Sequence, residues 1–450
     1  MKGIIMQILV TLSIAMLAGL LMSRLAKLLK LPAVTAYLVA GLVVGPFVLG
    51  QIDISALGLG ISHIGFSAAD FGLDGGAKNH ALELICDVAL GFIAFAIGNE
   101  FRMSELKTIG KQATVIGILQ AVVTTIVVDA ALIGISFAMP HVLTPAMAII
   151  LGAIATATAP AATLMVVRQY KAKGKLTSLL LPIVALDDAV GLVIFSVSFG
   201  VAKALSAGSL SIVSIIVNPL LEVVLSLALG FIMGCLFSLC EKFFHSGSKR
   251  MSLSITFVLL TVALSMLHFE LPYGIEIGFS SLLVCMMLGT VFCNICDFSA
   301  DIMERADKWT APLFVLFFVI SGAELNLKIL TIPAVIIIGI VYIISRSAGK
   351  YVGAFGSSKM MKCDDNVCNF LGITLFPQAG VALGMSAIVI QQFGEPGEVI
   401  RNIVLFAVLV YELVGPVLTK MALTKAGEIK EKTTEGFNRK EFLEKQESKK

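Results

Sequence analysis

Charge is the scarcest property of this 450-residue chain. Asp, Glu, Lys and Arg make up 14% of it, well short of the roughly 25% of ordinary soluble domains. Hydrophobic residues reach 58%, and mean hydropathy is +0.97. A soluble globular protein is excluded, and an integral membrane protein is what remains. The five histidines, His63, His80, His141, His245 and His268, are scattered and form no ligand set. The eight cysteines stand mostly alone inside apolar runs. Cys293 and Cys296 make one CxxC, with Cys363 and Cys368 on the next inward loop. Loose spacing and a reducing cytosol favour free thiols over a zinc site there. No cofactor, no nucleic-acid partner and no enzyme chemistry is expected. The chain lacks the repeated carbonyl loop of a channel filter. Its adjacent aspartates, Asp187 and Asp188, do not offer the facing geometry of an intramembrane aspartyl protease.

What the chain has in abundance is apolar runs of about 20 residues, the length that crosses a hydrocarbon core as helix. About thirteen recur between residues 4 and 421. They are continuous and do not alternate at period two, which excludes a β-barrel. The first, 4–22, lacks a small-residue cleavage site and is followed by Arg24, Lys27 and Lys30, so it stays as a helix. Basic residues set the expected orientation. With the N-terminus outside, inward loops hold Arg24, Lys27 and Lys30, then Arg102, Lys107 and Lys111, and so on to Lys359 and Lys362. Outward segments hold only Lys2, Lys78, Lys203, Lys328 and Arg401, as the positive-inside rule requires. The expected protein is multi-pass in a cell membrane, with a transmembrane region over 1–422. A short cytosolic tail over 423–450, mixed in charge, leaves no room for a soluble regulatory domain.

Asp187 and Asp188 interrupt the apolar stretch 179–201. A carboxylate at bilayer depth costs on the order of 3 kcal/mol on insertion scales, so an adjacent pair implies a path for ions or protons. Arg346 and Lys350, one helical turn apart in the run 331–356, are the cations inside a predicted span. Pairing across helices is expected, because an unpaired buried charge is far costlier than a matched one. Neighbouring helix residues point about 100° apart, so the two carboxylates cannot both face one small ion. We assign Asp188 to a cavity and Asp187 to a buried cation partner. A desolvated carboxyl that can hold a proton and exchange it for a cation is sufficient for antiport. Asp129 and Glu222 are further acids inside runs, and Glu270, Glu276 and Glu324 fall near the outer mouth.

The fifth run, 144–167, carries Thr156-Ala-Thr158-Ala-Pro160, and the twelfth, 367–391, carries Phe376-Pro377-Gln378-Ala-Gly380. Proline removes a helix donor and clashes with the carbonyl a turn earlier, so Pro160 and Pro377 predict two mid-membrane breaks. Such breaks persist only where protein or a watery cavity satisfies the freed groups. Seven spans apart, they run in opposite directions, the pattern of a transport site between inverted repeats. Thr158 is a candidate neutral oxygen ligand for Na+ beside Asp188, and Gln378 a candidate for orienting the site.

At these residues the chain resembles a known family. Thr35-Ala-Tyr37-Leu-Val-Ala-Gly41-Leu-Val-Val-Gly45-Pro46 resembles its second-helix signature, and Phe92 to Phe101 the end of its third. Thr158-Ala-Pro160-Ala, followed by Leu186-Asp187-Asp188-Ala, resembles the broken helix and aspartate pair of the monovalent cation/proton antiporter superfamily. Glu412-Leu-Val-Gly415-Pro416 is similar to the last-helix motif. The resemblance covers about residues 5–420. It implies an all-α homodimer of about thirteen transmembrane helices, with inverted repeats and two crossing broken helices. It also implies a dimer domain (about 4–99 and 251–327), a core domain (about 113–202 and 331–421) and a linker helix (about 213–239), with the core moving as an elevator. Asp188 would be the principal carrier of cation and proton, in the service of pH homeostasis.

The family also places a Lys a few residues before small glycines, and Arg346 and Lys350 each have a Gly three positions on, at Gly349 and Gly353. Counting residues from the inner end of each span brings Arg346 nearer the depth of Asp187 and favours it as the partner. With Lys350 instead, a second proton joins the cycle more easily, because a buried Lys can release its proton and Arg does not. Ala159 stands where the family often has Ser or Asp, which leaves sodium, potassium and lithium open. A potassium/proton antiporter of the same superfamily and a sodium-coupled organic solute symporter on the same fold are the alternatives.

Overall fold

Backbone groups in lipid have no water to bond, so apolar runs close their hydrogen bonds internally as helices. The computed structural model describes residues 2–429 except 29–32, 53, 55–62, 72–79, 100, 160–162, 164–165, 168–169, 207–216, 272–274, 297 and 326–331. Its helices are α1 (Lys2–Leu28), α2 (Ala33–Val44), α3 (His80–Asn99), α4 (Met103–Ala138), α5 (Pro145–Ile154), α6 (Lys175–Ser206) and α7 (Asn218–Glu241). They continue as α8 (Gly247–Ser265), α9 (Ser281–Ile295), α10 (Ser299–Ala323), α11 (Pro333–Met360), α12 (Asp365–Thr374), α13 (Gly380–Phe393) and α14 (Glu395–Lys425). Among the described residues, nine helices are long and apolar enough to cross a membrane, or ten with the pair Ser299–Ala306 and Lys308–Ala323, which is bent by 45°.

The difference from the thirteen expected spans has local causes. The fifth and twelfth runs do break, leaving the short helices α5, α12 and α13. The ninth expected span, 276–296, begins instead in a ribbon of two antiparallel strands, β1 (Phe269–Leu271) and β2 (Ile275–Ile277), and its helix α9 has 15 residues. An all-helical reading of hydropathy does not see so short a ribbon.

The helices pack in two groups. In the first, α2 lies on α1 and α10, α9 on α3 and α7, and α8 beside α3, α7, α9 and α10. In the second, α4 lies on α11, α6 and α5, while α14 lies on α11, α12 and α13. The first group is held by rings: Phe237 stacks on Phe292 at 4.2 Å and on Phe257 at 5.1 Å. Both groups also use close backbone approach: in the first, a Cβ on Gly322 of α10 would fall 2.1 Å from the Leu38 carbonyl oxygen of α2. A Cβ on Gly353 of α11 would fall 2.9 Å from Cα of Gln120 on α4, and one on Gly349 2.9 Å from Cα of Thr124, so larger side chains there would push the two helices apart.

Two ends within the second group are capped by side chains. Thr144 Oγ1 accepts the N–H of Met147 at 3.3 Å, with Pro145 in the first turn of α5. At the start of α6, the Glu428 carboxylate accepts the N–H groups of Leu176 (2.6 Å) and Thr177 (2.8 Å) and the Thr177 hydroxyl (2.6 Å). An anion at a helix N-terminus meets both its orphan donors and its dipole.

Candidate functional site: two helix breaks and an aspartate pair

After Ile154, α5 gives way to a turn and then non-helical backbone through Ala159, and α12 stops at Thr374 with non-helical backbone to Ala379. The two breaks touch: Ala159 N–H donates to the Pro377 carbonyl at 2.8 Å. Pro377 thus lies within the second break as expected, and Pro160 lies outside the described residues.

Several carbonyls released by the breaks have identifiable takers among the described residues, as buried backbone requires. In a continuous helix Thr156 O would accept from residue 160, a proline with no N–H. Lys350 Nζ donates to it instead. Arg346 spreads its donors over three carbonyls: Nε to Ala155 (2.9 Å), one terminal nitrogen to Ala157 (2.7 Å) and the other to Phe376 (2.7 Å). Gln378 Nε2 donates to Ile154 O at 3.0 Å and to the Tyr342 hydroxyl at 3.1 Å. Thr163 Oγ1 reaches Thr374 O at 3.4 Å. The Arg346 guanidinium also lies 4.4 Å from the centre of the Tyr411 ring, a favourable cation–π placement.

Lys350, not Arg346, pairs with Asp187: Nζ to Oδ2 is 2.6 Å, and both side chains are fully buried. This corrects the sequence-based preference for Arg346. Depth along a helix does not register which group needs a planar fork of donors; three carbonyls from two breaks do, and guanidinium supplies it where an ammonium cannot. Lys350 completes its three donors with Thr158 Oγ1 at 2.9 Å. Thr158 in turn donates to Asp187, so its hydroxyl is engaged with the Asp187 pair. Gln120, on α4, donates to the other Asp187 oxygen. Asp187 therefore accepts from an ammonium, a hydroxyl and an amide.

Asp188 is 2% exposed. A cavity of about 520 Å³ opens between the two helix groups, and on α6 it is walled by Phe195, Ser196, Phe199 and Lys203. Its nearest wall on that helix is seven residues beyond Asp188, about 10 Å along the axis. Glu222 lines the same cavity. Asp129 stands apart, its carboxyl against Gly152 of α5. Among the described residues no group of three His, Cys, Asp or Glu is arranged to hold a metal ion. Burial pushes the Cys363 thiol above its ordinary value.

Sequence reasoning missed Gln120 and the contact between Thr35 and Glu412. An amide in the middle of an apolar run was the available signal for the first. Thr35 Oγ1 donates to the buried Glu412 at 3.2 Å, joining α2 to α14. Nearby, Val34 of α2 packs on Ala159 and Ala379 of the two breaks.

The family model for the transmembrane sodium/hydrogen exchanger matches residues 12–425. None of the curated proteins matches the chain in sequence. Among solved structures, that of the sodium proton antiporter MjNhaP1 from Methanocaldococcus jannaschii at pH 8 is similar, with a TM-score of 0.70 at 18% identity. The match covers 94% of this chain and 99% of that one. A three-dimensional electron-microscopy map of the same antiporter gives a TM-score of 0.66 at 18% identity, covering 94% and 98%.

Proposed function

The chain belongs to the sodium/hydrogen exchanger family, and on that premise we propose that it exchanges protons for a monovalent cation, Na+ first, with the two competing for Asp188. Its family makes it a multi-pass membrane transporter and not an enzyme. The observation that carries the site assignment is the buried Lys350–Asp187 pair where the two breaks meet. Three donors occupy Asp187, so the exchange of proton for cation falls to Asp188. Thr158, already engaged with Asp187 and Lys350, keeps one acceptor lone pair with which to join the cation.

Lys350 as the partner favours an electrogenic cycle. An ammonium buried among one carboxylate, one hydroxyl and one carbonyl can lose its proton when the cation binds, adding a second proton to the one carried by Asp188. Two helix groups, one ring-packed and one built around the breaks, suit a dimer domain (about 4–99 and 251–327) and a moving core (about 113–202 and 331–421). A homodimer of about thirteen spans working by alternating access, with the N-terminus outside, completes the reading. The family match favours it over the solute symporter, and sodium is taken ahead of potassium.

The test is cation-induced pH change in proteoliposomes holding the full chain, with and without a clamped membrane potential. Sodium should dissipate an imposed proton gradient, and the rate should respond to the potential. Asp188→Asn should abolish the signal while the protein still elutes as folded material. Exchange that persists in that variant would overturn the carrier assignment.

A further inference from the structure

Gln120 takes no part in the sequence-based site, yet it is fully buried and its amide is committed to the aspartate pair. One N–H of Nε2 goes to Asp187 Oδ1 and the other to Gly117 O at 3.1 Å. Its Oε1 is buried with no hydrogen-bond partner among the described residues. An amide turned so that its oxygen goes unsatisfied is held by what its nitrogen does, because the reverse orientation would set that oxygen against a carboxylate. The backbone supports the same purpose. Gly353 lets α11 approach Gln120 itself, one turn beyond Lys350, so the amide and the ammonium reach Asp187 from two touching helices.

Resting on the exchange reading above, we infer that Gln120 is a positioning residue that keeps Asp187 ionised while Lys350 gives up its proton, so that proton and cation compete at Asp188 alone. The charged groups around the Lys350–Asp187 pair are Arg346 on α11 and Asp188 on α6. The breaks and α4 contribute neutral donors, Thr158 and Gln120. When Lys350 is neutral or displaced, the amide is what still answers the second oxygen of Asp187. Without it, Asp187 would itself take up a proton, and the site would hold protons against the cation to higher pH.

Gln120→Met keeps the length and removes the donor. Its exchange should shift to more alkaline pH by about one unit, the size of one charge-assisted hydrogen bond. At the acid edge of the profile the cation KM should rise about tenfold, with the maximal rate nearly unchanged. Gln120→Glu donates only when protonated, so it should approach native exchange at acid pH and lose it as pH rises, a dependence opposite in sign. A side chain that merely fills space would give the two variants the native pH profile and KM, and that result would overturn the inference. If Gln120→Met does not fold, the Gln120→Glu profile decides alone: a native profile sinks the idea. Native protein is measured in the same vesicles. Its failure to exchange would refute the antiport reading, whereas native exchange with unshifted variants refutes only the role of Gln120.

Discussion

The crossing of the two breaks and the seam between the two helix groups are both buried, but they are built on different terms. At the crossing, two cations, two amides and a hydroxyl are spent on five carbonyls and a carboxylate. At the seam, polar contacts between described residues are scattered along the helices, Ser196 of α6 with Ser280 at 3.2 Å and Met103 of α4 with Asn294 of α9 at 2.7 Å among them. Arg401 of α14 pairs with Glu324 at the end of α10, Thr35 of α2 meets Glu412 of α14, and Gln391 of α13 meets Asp87 of α3 at 3.0 Å. Arg401 and Glu412 sit about 16 Å apart on one helix. Dense satisfaction makes a region rigid, whereas isolated contacts can be exchanged one at a time. The site is thus fixed within its own group.

Arg346→Ala should break the rigid side of this contrast. It strips donors from three buried carbonyls and should lower stability by about 3–5 kcal/mol, read as a fall of the unfolding midpoint in detergent, with exchange lost. Arg401→Ala removes a buried cation whose partner Glu324 is partly exposed and can turn to water. We expect about 1–3 kcal/mol and a changed exchange rate with the cation KM retained. A loss as large as that of Arg346→Ala would erase the distinction between crossing and seam. Thr35→Val takes one neutral donor from Glu412 and should cost about 1 kcal/mol. Its main effect should be a few-fold change in rate, resolved by stopped-flow measurement; an unchanged rate would mean that this contact does not open during turnover.

Much of this was legible in the residues alone. Apolar runs marked the long helices, and Asp187–Asp188 could not be mistaken for ordinary span chemistry. Pro377 predicted a break that the structure contains. The exchange of roles between Arg346 and Lys350 was not legible, because it depends on where freed carbonyls gather after two distant segments meet. Gln120 was passed over for a related reason: its partner lies 67 residues away on another helix, and only the packing of α4 on α6 brings them together. The 45° bend at residues 306–308 and the ribbon before α9 were hidden because hydropathy averages over windows longer than either feature.

Glu428 bears on how such a chain is assembled. The helix that carries the aspartates is capped by a residue 252 positions downstream of Leu176, and its Asp187 is balanced by Lys350, 163 positions further on. A helix threaded into the membrane during synthesis must therefore wait, with its first turn open and its charge unmatched, until α11 and then the segment after α14 leave the ribosome. The last contact to form closes the first turn of the helix that carries the aspartate pair, so a chain cut short before Glu428 would insert its spans without locking them.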